Sequence, residues 1–133
     1  METGNAPLTS SIHPIEQQLI ELAKRSSTEI RVHLSRRWIE KDPFGRATDL
    51  YNQFASSTAK SDENGVLIYL NLRRRKYAIY ADRKPAQALG ALFWDTLGVF
   101  LASKLKNEKA EVALTSVIAH LSEKLQHAFP AVS

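Results

Sequence analysis

Glu29, Asp62, Glu63, Asn64 and Asp82 are hard-oxygen side chains of the kind that suits calcium or magnesium. They lie far apart along the chain, so only the direction of the strands beside them can bring them together. Glu29 opens one alternating run, Asn64 precedes an apolar run, and Asp82 ends a third. If the first two run parallel and the third runs antiparallel to the second, all three ends share one edge of a sheet. Asp42 then belongs to the opposite edge. A divalent ion held by Glu29, Asp62, Asn64 and Asp82 would polarise a phosphate oxygen and activate a water, with Asp82 as the candidate catalytic carboxylate. Arg83, Lys84 and the helix start at Pro85 would neutralise the bound anion. The chemistry that follows is hydrolysis of a phosphomonoester. Each residue also has a structural use: Asn64-Gly65 is an ordinary turn pair, Glu29 a solvated strand end, and Asp82 a cap before a helix.

The elements that must position these residues are read from periodicity. Ile15, Leu19, Leu22 and Ala23 recur at helical spacing after Pro14, which suits a first helical position. Residues 29–36 alternate, with Ile30, Val32 and Leu34 on one face, as in an edge strand. Asp42-Pro43 is a strong helix start, and Ala47, Leu50, Tyr51 and Phe54 carry that helix to about residue 56. Residues 56–65 read as an exposed loop. Residues 66–72 are apolar on both faces except at Asn71, which predicts a central strand. A cationic turn, Arg73-Arg74-Arg75-Lys76, joins it to an antiparallel partner over 77–81. Helices over about 85–106 and 108–127 complete an α-β-α-β-β-α-α order, and the first strand joins the sheet through a right-handed crossover. The fold class is α/β, a three-layer α/β/α sandwich whose mixed sheet of three or four strands carries helices on both faces. Residues 1–12 read as a disordered tail and 13–130 as a single domain.

Several of these segments together resemble a known family: Thr28-Glu29-Ile30-Arg31-Val32, then Asp42-Pro43, Asn64-Gly65-Val66-Leu67-Ile68-Tyr69, Tyr77-Ala78-Ile79-Tyr80-Ala81-Asp82, Phe93-Trp94 and Phe129-Pro130. The chain is similar over nearly its whole length to the TPM domain family, named after a thylakoid lumen protein, a photosystem repair protein and a nematode receptor modulator. The resemblance implies an α/β/α sandwich, often attached to membranes, with acid phosphatase activity in plant members and divalent-cation binding in some. The family commonly carries Gly-Asp-x-Gly where this chain has Ala81-Asp82-Arg83-Lys84. Glycine there permits positive φ or close approach of backbone to a ligand. Its replacement, with two added cations, favours an anion over a metal.

Composition narrows the classes further. With 133 residues, 44% hydrophobic and 24% charged, the chain has room for one core. It has no cysteine, so disulfides, Cys-ligated zinc and a thiol nucleophile are excluded. The four histidines have no ligand spacing, and neither a Gly-x-Ser-x-Gly elbow nor a phosphate-cradling glycine loop is present. The polar start is not a secretory signal, and the apolar stretch 86–102 falls short of a membrane span and reads as a buried helix, so no transmembrane segment and a cytoplasmic location are expected. A net charge of +4 is small, and Arg36, Arg37, Trp38 and the 73–76 turn offer cations around an aromatic without a nucleic-acid reading motif. Nucleic acid is therefore not the expected partner. The lost glycines favour an accessory or protein-binding module tied to membrane-protein maintenance, docking through a sheet edge or the helix that starts at Pro85. A divalent-metal-dependent acid phosphatase, using calcium or magnesium and no organic cofactor, is the alternative.

Overall fold

The structure is a computed structural model that describes residues 6–56 and 62–131. Three strands, β1 (Glu29–Ser35), β2 (Gly65–Asn71) and β3 (Lys76–Ala81), form one sheet in the order β1-β2-β3. β2 lies in the centre because its apolar run has no polar face to give to water, and all seven of its residues are buried. β1 pairs with it in parallel, Glu29 opposite Gly65 and Ser35 opposite Asn71. β3 pairs with it antiparallel, Val66 opposite Ala81 and Asn71 opposite Lys76. The mixed sheet, its strand directions and the edge position of β1 are as the periodicity predicts.

Alternation along β2 divides the core in two. Val66, Ile68 and Leu70 face α1 (Ala6–Arg25), α3 (Arg83–Asn107) and α4 (Ala110–Ala128), whose Leu22, Leu97, Leu101, Leu114, Ile118 and Leu121 fill the larger half. Leu67 and Tyr69 face α2 (Pro43–Ser56), where Ala47 and Tyr51 close the smaller half. The result is a three-layer α/β/α sandwich. Each large side chain taken fully out of water here contributes about 1.5–3 kcal/mol, so the α1/α3/α4 layer carries most of the hydrophobic stabilisation. α2 begins as expected: Asp42 Oδ1 accepts from the Gly45 N–H at 3.0 Å.

Three features differ from expectation. α1 begins at Ala6 and holds Pro14 inside it, so residues 6–12 of the expected tail have helical backbone; the lost donor and the crowding of the carbonyl one turn back, the usual costs of an interior proline, do not end the helix there. α3 begins at Arg83, capped by Asp82, and Gly90 breaks it with φ 84°, a value favouring glycine. It is also not the buried helix that its composition suggests. Pro85, Leu97, Leu101 and Leu105 are buried, while Leu92 and Val99 are 80% and 69% exposed. α3 packs one stripe against β2, β3 and α4 and leaves the opposite stripe outside. By length and composition α3 is a helix able to cross a membrane; here Leu97, Leu101 and Leu105 pack into the core. Residues 1–5 of the expected tail and 57–61 of the expected loop lie outside the described residues.

Candidate functional site

Strand polarity brings the ends carrying Glu29, Asn64 and Asp82 to one edge of the sheet. The Glu29 N–H donates to the Asn64 carbonyl at 3.2 Å, and the Asp82 N–H donates to the Gly65 carbonyl at 2.9 Å. The Lys84 N–H donates to the Glu63 carbonyl at 3.0 Å, which draws the start of α3 onto the turn before β2. Glu63 adopts φ 58° in that turn, a left-handed conformation that ordinary side chains disfavour.

Their side chains do not converge on one point. Asn64 is buried; its Oδ1 accepts from the Thr28 hydroxyl at 2.7 Å and its Nδ2 donates to Ser27 Oγ at 3.4 Å. Asp62 Oδ1 accepts from the Asn64 N–H at 3.3 Å. Glu29 pairs with Arg31 at 3.7 Å across exposed surface. Arg83 Nε donates to Glu63 Oε1 at 2.7 Å, so one of the two expected anion-binding cations is already paired. Lys84 is exposed. Asp82 caps α3, accepting from the Arg83 N–H at 2.7 Å. Among the described residues, no group of three or more His, Asp or Glu side chains is placed to hold a metal. Calcium takes six to eight oxygens and magnesium a near-octahedral set; these oxygens serve the chain's own donors and, as folded, do not fit either ion.

Tyr51 is the residue of this edge that periodicity places only in the hydrophobic stripe of α2. Burial, then its hydrogen bond to Asp82 and that carboxylate's charge, push its hydroxyl well above the ordinary tyrosine range. Tyr80, whose ring centroid lies 4.9 Å from that of Tyr51, is pushed up by burial and by Asp82. A Cβ at Gly65 would overlap the Tyr51 hydroxyl and come within 2.8 Å of its ring, so glycine is required for close approach rather than for its φ. The signal available in the sequence was a tyrosine among aliphatic residues on a helix facing a strand that begins with glycine. What this edge does chemically is to hold one carboxylate at a helix N-terminus beneath two neutral phenols.

The model of the TPM domain matches residues 8–124. The chain belongs to the TPM domain family. None of the proteins with curated functions matches it. The TPM domain superposes on the NMR structure of BA42 protein from the psychrophilic bacterium Bizionia argentinensis with a TM-score of 0.81 and 27% identity, covering 98% of this chain and 87% of that one. It also superposes on the N-terminal domain of a protein from P. gingivalis with a TM-score of 0.69, covering 92% of this chain and 81% of that one; at 14% identity this likeness concerns the fold alone.

At the opposite edge of the TPM domain lies a second polar assembly, built around buried Glu40. Glu40 Oε1 accepts from Asn71 Nδ2 at 2.8 Å and from the Tyr69 hydroxyl. The Asn71 Oδ1 accepts from the N–H groups of Arg73 and Arg74 at 3.0 and 2.9 Å, which shapes the hairpin turn. Burial opposes ionisation of Glu40, but the hydrogen bonds from Asn71 and Tyr69 and the charges of Arg37 and Arg46 outweigh it, so its carboxyl lies below the ordinary range. His33, stacked on Tyr69 with centroids 5.7 Å apart, is held below the ordinary histidine range by burial and by Arg46. Neither Glu40 nor its role was legible from spacing, since a lone glutamate between Ile39 and Lys41 looks like a solvated loop residue.

The cationic turn is put to structural use. Arg75 takes φ 54°, and its guanidinium donates to the Leu105 carbonyl and, at 3.2 Å, to the Glu108 carbonyl, closing the C-terminal end of α3. Lys76 Nζ donates to the Glu40 carbonyl at 3.0 Å.

Proposed function

We propose that this TPM domain is an accessory docking module that binds a membrane protein through the outward stripe of α3. The observation that carries the reading is the exposure of Leu92 and Val99 on a helix whose most apolar stretch is only 17% buried. Leu92 and Val99 stand seven residues apart on one face of α3, flanking exposed Asp95 and Thr96, and apolar side chains so exposed and rimmed by polar ones mark an interaction surface. The oxygens of the Asp82 edge, already bonded within the chain, support the absence of turnover in this reading. A cytoplasmic domain resting beside its membrane partner is the setting that follows.

The alternative is a divalent-metal-dependent acid phosphatase, with Asp82 as its carboxylate and Arg83 and Lys84 facing the anion. The placement of Asp82 at the N-terminus of α3 favours it, since a helix start and two cations suit a phosphate.

Two measurements separate these readings. A photocrosslinking residue placed at 92 or 99 should trap a membrane protein in detergent-free membranes, while the same residue at exposed Gln87 should not. Equal products at all three positions would remove the α3 reading. Hydrolysis of p-nitrophenyl phosphate with calcium or magnesium is expected to stay at background for wild type and Asp82→Asn alike. Metal-dependent turnover that Asp82→Asn abolishes would install the phosphatase instead.

A further inference from the structure

At the end of the sheet opposite Asp82, an exposed apolar pair stands among guanidinium groups. Trp38 and Ile39 are 69% and 66% exposed. The loop that carries them is nevertheless tied down from beneath. Asn71 Nδ2 donates to the Arg37 carbonyl at 3.0 Å, Arg73 Nε donates to the Arg36 carbonyl at 2.9 Å, and Lys76 Nζ holds the Glu40 carbonyl. Glu40 itself is buried as an anchor, so the chain turns inward at residue 40 and leaves its two apolar neighbours at the tip. Arg73 Cζ lies 3.7 Å from the centroid of the Trp38 ring, which fixes that ring by a cation–π contact.

Among the described residues, charge around the tip is predominantly positive, five exposed cations against the one exposed carboxylate of Asp42. Arg36, Arg37, Lys41, Arg73 and Arg74 are all exposed, and among the described residues none of them joins an ion pair. Of the nearby acidic side chains, Glu40 is buried and hydrogen-bonded to Asn71 and Tyr69, and Asp42 caps the Gly45 N–H.

We propose that this loop is a contact surface for an anionic lipid bilayer. Trp38 sits at headgroup depth, Ile39 reaches the acyl boundary, and the five cations meet lipid phosphates and carboxylates. The charge complementarity commits the surface to an anionic partner, and the apolar pair commits it to one with an apolar layer beneath its charges. A single-stranded nucleic acid suits it less. One face of the Trp38 ring is already covered by Arg73, and Ile39 offers no face on which a base could stack. The assignment is independent of the docking stripe on α3 and stands or falls separately from it.

Flotation of the full chain with phosphatidylcholine vesicles, with and without phosphatidylserine, tests it. Association should require phosphatidylserine, weaken as salt is raised, and fall about tenfold in Trp38→Ser with Ile39→Ser and again in Arg36→Ala with Arg74→Ala. The substituted side chains are exposed, so the thermal unfolding curves should match wild type. In a Trp94→Phe chain, which leaves Trp38 as the one tryptophan, brominated acyl chains should quench the emission. Failure of wild type to float, wild-type binding by both double variants, or emission that brominated lipid leaves untouched would each overturn the proposal. Displacement from vesicles by a single-stranded oligonucleotide whose binding needs Trp38 would overturn it too, reassigning the surface to nucleic acid.

Discussion

The two edges of the sheet hold similar stocks of polar residues and use them in opposite ways. At the Asp82 edge, Asp62, Asn64 and Asp82 accept from the chain's own backbone and hydroxyl groups, and the exposed ions Glu63 and Arg83 pair with each other. At the Glu40 edge the buried carboxylate anchors a loop from beneath, and the exposed cations are left facing outward with Trp38 and Ile39. The difference teaches that a cluster of acidic residues near a turn can be turned inward by neighbouring donors, while an isolated glutamate can organise a surface without being on it. Carboxylate count alone does not say which edge presents its charges to solvent.

The sharpest way to break that contrast is to remove the anchor. Glu40→Ala removes the acceptor of the buried Tyr69 hydroxyl and one of the two acceptors of the Asn71 amide, which keeps the Arg37 carbonyl, and should destabilise by about 2–4 kcal/mol, measured by urea unfolding. The pH dependence has a definite sign. Because folding lowers the Glu40 pKa below its ordinary 4.5, its contribution is present in full above that value and is lost as pH falls through the folded value. The gap in stability between wild type and Glu40→Gln should therefore be widest near neutrality and close on acidification below the ordinary carboxylate range. A gap independent of pH would show that Glu40 acts through packing rather than charge.

A smaller effect is expected at the other edge. Gly65→Ala places a methyl against the Tyr51 hydroxyl and ring, forcing α2 away from β2 at a cost of about 1–3 kcal/mol. Adding Tyr51→Phe removes the hydroxyl and should recover part of that loss, because the ring carbon at 2.8 Å remains. Additive destabilisation in the double variant would mean that the two positions are not in contact.

The sequence made the scaffold legible where one physical cause dominated. A seven-residue apolar run interrupted only at Asn71 and bounded by turn residues fits a central strand, and the alternation at Ile30, Val32 and Leu34 fits a half-covered one, so strand order and direction followed. The shared edge of Glu29, Asn64 and Asp82 followed from those directions. What did not follow was where the side chains point, because the choice of the Asn64 amide between a ligand and the Thr28 hydroxyl is made by local geometry of about an ångström. α3 was misread for a different reason: apolar composition says that a helix can be buried, but the number of elements packed around it decides how much of it is, and α3 has the sheet and α4 on one side only. Tyr51 was hidden by its own ring, which satisfies the hydrophobic pattern while its hydroxyl does polar work.

The smallest effect separates capping from chemistry at Asp82. As the N-cap of α3 it satisfies one free N–H, so Asp82→Ala should cost about 1 kcal/mol, whereas Asp82→Asn keeps an acceptor of similar capping strength and should cost less than about half of that. The two variants differ in capping yet share one electrostatic consequence, the loss of the negative charge. Asp82 raises the Tyr51 pKa both by accepting its hydrogen bond and by its negative charge, with burial as the larger cause. A phenol whose pKa is raised on folding stabilises the fold below its unfolded value, and that contribution is lost as pH rises. In Asp82→Asn the charge is gone while burial remains, so in a spectrophotometric alkaline titration Tyr51 should ionise at lower pH than in wild type but still above the ordinary tyrosine range. If the late-ionising absorbance is unmoved by the substitution, the Tyr51–Asp82 hydrogen bond does not persist in solution, and the carboxylate is free to serve a ligand after all.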